Sequence, residues 1–185
     1  IFFEFHGTEA GAKEQAETVQ GIAEEFGGSA FQWTSKMEDR NKLWQARHDA
    51  YYAAIALRSG CQGWATDVCV PVSRLAECIN ETKDDLKKTG LISPLVGHVG
   101  DGNFHMLYIV DPDNKDEMAK AQEHSDRMVM RALEMGGTCT GEHGVGYGKI
   151  HFLTDEHGDA MSLMRSLKTA FDPDNIMNPG KIVNI

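Results

Sequence analysis

Along this chain, short dense apolar runs alternate with longer stretches in which apolar residues return every three or four positions. Residues 1–6 (IFFEFH) and 30–34 are short and rich in aromatic or apolar side chains, and they predict strands. Residues 11–26 carry apolar side chains at helical spacing among many charges, and Gly27-Gly28 stops that pattern. A second helix is expected from Ser35 as N-cap, through Trp44 towards Leu57, with Glu38 three positions on completing a capping box. Residues 64–70 are strand-like and end at Pro71, and residues 72–88 place Leu75, Cys78, Ile79 and Leu86 on one helical face. Two apolar runs, 91–99 and 103–110, flank the turn GHVGDGNFH (97–105). A long helix over 113–135 stops at Gly136-Gly137, followed by a glycine-rich loop, a helix near 156–171 and a proline-containing tail.

The turn decides the fold class. Asp-Gly between two apolar runs signals a hairpin, because a type I′ turn needs positive φ at both central residues. Strands joined by so short a loop are antiparallel. The pattern therefore predicts an α+β fold, an antiparallel sheet with helices packed on one face, plus a C-terminal helical and loop tail. With Asp101-Gly102 as a two-residue loop, His98 stands directly opposite His105 on the same side of the sheet, their Cβ atoms about 4.5–5.5 Å apart. Two imidazoles so placed converge on one ion. Asp101 itself is expected to be a turn residue.

Composition narrows the partners. With 185 residues, 41% hydrophobic and 25% charged, the chain has the make-up of an ordinary globular domain. A formal net charge of -10 with no long basic run argues against nucleic acid and anionic lipid. A small anionic substrate would then need local positive charge from an arginine or a bound metal. No apolar run reaches the roughly 18 residues a membrane span requires. The sequence begins without Met or a signal-peptide pattern, and is expected to be a piece of a longer chain. Cys61, Cys69, Cys78 and Cys139 form no CxxC pair and are expected to be reduced, buried thiols in a reducing compartment.

A divalent ion needs more than two protein ligands. The best source of a third is GTCTGEHGVGYGK (137–149), where glycines bracket an adjacent acid and imidazole and free the backbone to bring both close to a ligand. Glu142 supplies the carboxylate of a two-His-one-carboxylate set that leaves positions open for substrate. His143, beside the metal, is suited to act as a general base. The same loop is no nucleotide motif: GxGxxG is absent, and His143 occupies the place where a Walker A sequence needs glycine. His6, His48, His124, His151 and His157 lack partners at useful spacing and are expected to be structural or solvated.

Three motifs in order, GHVGDGNFH, CTGEHGVGYGK (139–149) and FDPDNIMNPGK (171–181), resemble the C-terminal domain of FAD-linked 2-hydroxy acid dehydrogenases of the vanillyl-alcohol-oxidase type. The likeness runs from about Phe31 to the end. LWQARHDAYYAA (43–54) and TDVCVPVSRL (66–75) resemble the mitochondrial-type branch acting on D-lactate. This resemblance implies a ferredoxin-like α+β fold, with residues 1–185 forming a cap that closes over a flavin bound by a separate N-terminal FAD-binding domain. It implies a divalent metal, zinc or manganese, on His98, His105 and Glu142, with His143 as catalytic base. Arg47 of the LWQAR stretch is similar to a residue that clamps the substrate carboxylate, and Asn178 of NPGK to one packed near the flavin. Lys149 and Lys181 either meet flavin phosphates or are solvated.

The implied reaction is oxidation of a D-2-hydroxy acid, D-lactate to pyruvate, with electrons passing to an acceptor such as cytochrome c or quinone. The isolated fragment would be inactive. The branch acting on 2-hydroxyglutarate carries a lysine shortly before the aspartate of the strand that here reads WATD; Ala65 in its place favours a monocarboxylate. The location implied is mitochondrial in a eukaryote, cytoplasmic or membrane-associated in a bacterium. Other readings stay open: a metal-binding regulatory or interaction module without activity, a metal-dependent hydrolase, and, within the family, D-2-hydroxyglutarate or glycolate as substrate.

Overall fold

A computed structural model describes residues 1–185 and separates them into two units, Ile1–Ala53 and Ala54–Ile185. The first unit holds α1 (Glu9–Glu25) and most of α2 (Met37–Ile55). The Thr8 hydroxyl caps α1 by accepting the Gly11 N–H at 3.2 Å. The two strands predicted at 1–6 and 30–34 do not form. Alternating aromatics favour an extended chain but supply no partner edge, and a ladder needs one. The side chains stack instead, Phe2 on Trp44 at 6.3 Å and Phe3 on Phe5 at 6.2 Å between centroids. The Ser35 cap is likewise corrected: α2 begins at Met37, and the hydroxyl that accepts a backbone N–H there is that of Thr34, from Lys36.

The second unit is built around one strand. In chain order it contains β1 (Gln62–Ala65), β2 (Val68–Cys69), α3 (Val72–Lys87), β3 (Leu95–His98), β4 (Asn103–Val110), α4 (Lys115–Glu134), α5 (Leu153–His157) and α6 (Ala160–Phe171). All eight residues of β4 are buried, and every other strand pairs with it antiparallel. The strand predicted at 64–70 is broken at Thr66-Asp67, yet both halves keep one register on β4: Ala65 faces Leu107 and Val68 faces Phe104. On that register Thr66 faces Met106 and Asp67 faces His105.

The hairpin exists, but its loop is not the predicted two-residue turn. Val99–Asp101 forms a single 3-10 turn, Gly102 takes the left-handed φ of +77°, and the pairing is His98 with Asn103 and Val96 with His105. The register differs from the predicted one by two residues. A slip of one would have sent the histidines to opposite faces; a slip of two keeps them on the same face, now as diagonal neighbours. Gly102 also tolerates no side chain, since a Cβ there would stand 1.9 Å from the Val70 carbonyl oxygen.

Alternation along β4 sorts its side chains. Phe104, Met106, Tyr108 and Val110 join Val68, Val70, Leu75 and Cys78 and the α4 residues Ala121, Met128, Val129 and Ala132 in the main core. Leu107 and Ile109 face the other way, towards Ala54. The predicted α+β arrangement, with α3 and α4 on one face of an antiparallel sheet, is therefore the observed one. The Asn114 carboxamide caps α4 by accepting the N–H groups of Asp116 and Glu117, both at 3.2 Å. No helix is long and apolar enough to cross a membrane. All four cysteines are free, Cys78 and Cys139 buried and Cys61 and Cys69 half-buried. Burial pushes the Cys139 thiol up to about 12, so it stays protonated.

Candidate metal centre

His98 and His105 meet on the β4 face opposite the main core. Their ring centroids lie 6.3 Å apart and nearly perpendicular. The loop after α4 brings Glu142 onto them: its Oε1 is 2.9 Å from His105 Nε2 and 3.5 Å from His98 Nε2. One ligand atom from each of the three residues lies within 4.8 Å of the others. His143 stands at the edge, its Nε2 3.7 Å from the same oxygen and its ring centroid 5.0 Å from that of His105. His105 is nearly buried, while His98, Glu142 and His143 are partly exposed, at 43%, 49% and 58% of their side-chain surface. One side of the cluster is thus anchored in the fold and the other is open to a small ligand.

The donor chemistry fits a cation. His105 Nδ1 sits 2.8 Å from the Thr66 carbonyl oxygen, which can only accept, so that nitrogen carries the ring proton. With a metal bound, Nε2 is the ring atom left to face it, and it points at a carboxylate oxygen. A metal-bound histidine held at its other nitrogen by a backbone carbonyl has this arrangement. His98, His105 and Glu142 are therefore able to hold a divalent metal, with room left for exchangeable ligands.

What holds Glu142 in place was not foreseen. Asp67 is 2% exposed, and its Oδ2 accepts the Thr140 hydroxyl at 2.7 Å and the N–H groups of Gly141, Glu142 and His143 at 2.8, 2.9 and 2.9 Å. Its Oδ1 accepts the Asn103 amide at 2.7 Å. Burial alone would favour the neutral acid. The donors from His143, Thr140, Glu142 and Asn103 outweigh it and hold the carboxyl far below the ordinary carboxylate range. A signal was available, because a lone aspartate inside the apolar run WATDVCV must find partners if buried. Gly141 is needed there, since a Cβ would lie 2.0 Å from Asn103 Nδ2.

Lys149 is not solvated: its Nζ is largely buried and donates to the carbonyls of Asp67 at 2.5 Å and Cys139 at 2.7 Å. Burial lowers its pKa, with Asp67 acting in the opposite direction. Lys181 lies over the Tyr147 ring at 5.2 Å. Asn178 is exposed with a left-handed φ of 49°, in a tail tied back to the loop by the Ile182 N–H donating to the Gly146 carbonyl at 3.2 Å. Arg47 belongs to the first unit, where its guanidinium lies 5.5 Å from the centre of the Trp44 ring. His124, read as structural, is buried between the Tyr108 hydroxyl at 2.5 Å and the Thr82 carbonyl at 3.1 Å.

Residues 1–182 match the family model described as FAD linked oxidases, C-terminal domain. A probable mitochondrial D-lactate dehydrogenase of Danio rerio is 49% identical over 186 residues, covering 100% of this chain and 37% of that protein. A mitochondrial D-lactate dehydrogenase (cytochrome) of Arabidopsis thaliana is 43% identical over 184 residues, covering 99% of this chain and 32% of its own length. The chain thus spans about a third of the curated relatives it matches. Among solved structures, a 4-ethylphenol oxidase from Gulosibacter chungangensis superposes with a TM-score of 0.67 at 15% identity, over 96% of this chain and 37% of that one. At that identity the likeness concerns the fold.

Proposed function

The chain belongs to the family of C-terminal domains of FAD-linked oxidases, and from that premise we propose that residues 1–185 form the substrate-side cap of a flavoprotein dehydrogenase oxidising a D-2-hydroxy acid, D-lactate to pyruvate. The observation that carries this is the convergence of His98, His105 and Glu142 within 4.8 Å, with His143 beside them. The FAD would be held mainly by a domain outside this chain, and D-lactate is favoured by the relatives and by Ala65.

His98, His105 and Glu142 would hold the divalent metal, zinc or manganese. Bound there, such an ion supplies Lewis acidity that makes a ligated hydroxyl easier to deprotonate. His143 takes up the hydroxyl proton at Nε2, the ring nitrogen that lies 3.7 Å from Glu142 Oε1 at the edge of the cluster. Arg47 grips the substrate carboxylate with its paired N–H donors, a role no lysine matches geometrically. Asn178 would pack near the FAD, which when bound would supply the hydride acceptor. Cytochrome c or a quinone takes the electrons onward, in a mitochondrion if the source is eukaryotic.

The test is a substrate screen of the full-length, flavin-loaded protein with D-lactate, L-lactate, glycolate and D-2-hydroxyglutarate, following bleaching of the flavin absorbance. D-lactate is expected to bleach fastest. No bleaching by any of the four refutes the hydroxy acid assignment, and a preference for glycolate or D-2-hydroxyglutarate moves the substrate within the family.

A further inference from the structure

Thr66 and Asp67 interrupt an otherwise continuous ladder on β4, and both are buried polar residues beside the cluster. In an antiparallel hydrogen-bonded pair the two residues exchange N–H and carbonyl bonds. Thr66 donates its N–H to the Met106 carbonyl at 2.9 Å as expected. The return bond is different: the Met106 N–H goes to the Thr66 hydroxyl, at 2.9 Å. The side chain has taken over the work of its own carbonyl, and the carbonyl thus released accepts His105 Nδ1 at 2.8 Å. One residue on, Asp67 gathers donors from four consecutive residues, Thr140 to His143. Both its oxygens are occupied by protein donors, so it is not itself a metal ligand.

We propose that the Thr66–Asp67 break is the positioning element of the metal centre: Thr66 orients His105 through the carbonyl that its hydroxyl releases, and Asp67 fixes the backbone that carries Glu142 and His143. This rests on the metal-site assignment above. The two halves act on different ligands from adjacent residues. Thr66 fixes the ring proton of His105 at Nδ1, which leaves Nε2 as the donor. Asp67 draws three successive N–H groups to one oxygen, a concave backbone shape that turns the Glu142 side chain towards the two histidines. Substituting valine at Thr66 removes the hydroxyl while keeping the β-branched shape, so the backbone carbonyl returns to Met106 and His105 loses its anchor.

The experiment is titration of the full-length protein with Zn²⁺ and with Mn²⁺, reading the dissociation constant by chelator competition alongside the melting temperature, for the wild type, Thr66→Val, Thr66→Ser and Asp67→Asn. Outer partners of metal ligands are worth roughly 10–100-fold in metal affinity. Thr66→Val and Asp67→Asn are expected to weaken binding by about that factor, and Thr66→Ser, which keeps the hydroxyl, to restore it to within about threefold of the wild type. A role in stability alone would lower the melting temperature of Thr66→Val without separating its metal affinity from that of Thr66→Ser, and that result overturns the proposal. Wild-type affinity in Asp67→Asn overturns its half. If Asp67→Asn does not fold, Thr140→Val, which removes one donor to the same carboxylate, takes its place with the same expected direction. A wild-type protein that takes up neither ion removes the metal-site assignment first, and this proposal with it.

Discussion

Gly141→Ala isolates the effect of a single contact at the site. The backbone of Gly141 is not in the left-handed region, so alanine is conformationally allowed, and only the added methyl matters. That Cβ would stand 2.0 Å from Asn103 Nδ2 and 3.0 Å from Asp67 Oδ1. Ordinary contact needs about 3.5 Å, so the amide must retreat by roughly 1.5 Å. It has no room to do so, being 5% exposed and held by Asp67 Oδ1 at 2.7 Å and the Val68 carbonyl at 3.0 Å. Overpacking costs about 1–3 kcal/mol and a lost hydrogen bond to a charged group about 1.5–3 kcal/mol, together about 2.5–6 kcal/mol. That corresponds to a melting temperature lower by roughly 10–20 °C for a unit of this size. Because Glu142 is the next residue, a shift of about 1 Å there would cost on the order of 100-fold in turnover. Gly144→Ala is the matched control: it has φ of +81° but nothing within 4 Å, so only backbone strain of about 1–2 kcal/mol applies. Thermal unfolding and flavin bleaching of the two variants check this. A Gly141→Ala protein that melts with the wild type, or above Gly144→Ala, refutes the reasoning.

His143→Ala is expected to keep its metal and lose roughly 100- to 10,000-fold in turnover, read by elemental analysis and bleaching rate; full activity would remove the base assignment. His98→Ala should lower metal occupancy measured on the same protein, and unchanged occupancy would reject His98 as a ligand. Tyr108→Phe leaves His124 Nδ1 buried without a partner and should cost about 1–3 kcal/mol in urea unfolding. Burial holds the His124 pKa below its ordinary value, with the Thr82 carbonyl and Asp85 opposing and Arg127 and Arg131 assisting. The unfolded chain takes up that proton near pH 6.5 and the folded chain does not, so this contribution is intact above about pH 6.5 and is lost as pH falls below it. Unfolding curves of the wild type and His124→Asn across that window should converge at low pH; parallel curves would contradict this.

Much of the second unit is legible in the sequence because its signals are local. Periodicity finds α3 and α4, and Gly136 ends α4 where the glycine pair predicts. The histidine pair survives an error of register because side-chain facing depends only on whether the shift is odd or even. The strand pattern of IFFEFH misleads because pairing depends on a distant edge that no local pattern encodes. The roles of Thr66 and Asp67 lie hidden for the same reason: one acts through a carbonyl, the other through N–H groups more than seventy residues away, and backbone groups leave no mark in a sequence. Lys149 shows the converse, a visible charge whose partners are two carbonyls.

The centrality of β4 also sets an order of events. β3 and β4 close a loop of four residues, Val99 to Gly102, whereas β1 reaches β4 from about forty residues away and Glu142 arrives only after the 20-residue α4. Short loops close sooner and at smaller entropic cost. The amides of Leu107 and Ile109, bonded to Pro94 and Ile92, should therefore gain protection in pulse-labelled hydrogen exchange before those of Gly141 to His143, and simultaneous protection would contradict this. In that order the two imidazoles would come side by side first, and the carboxylate would join a half-site already formed.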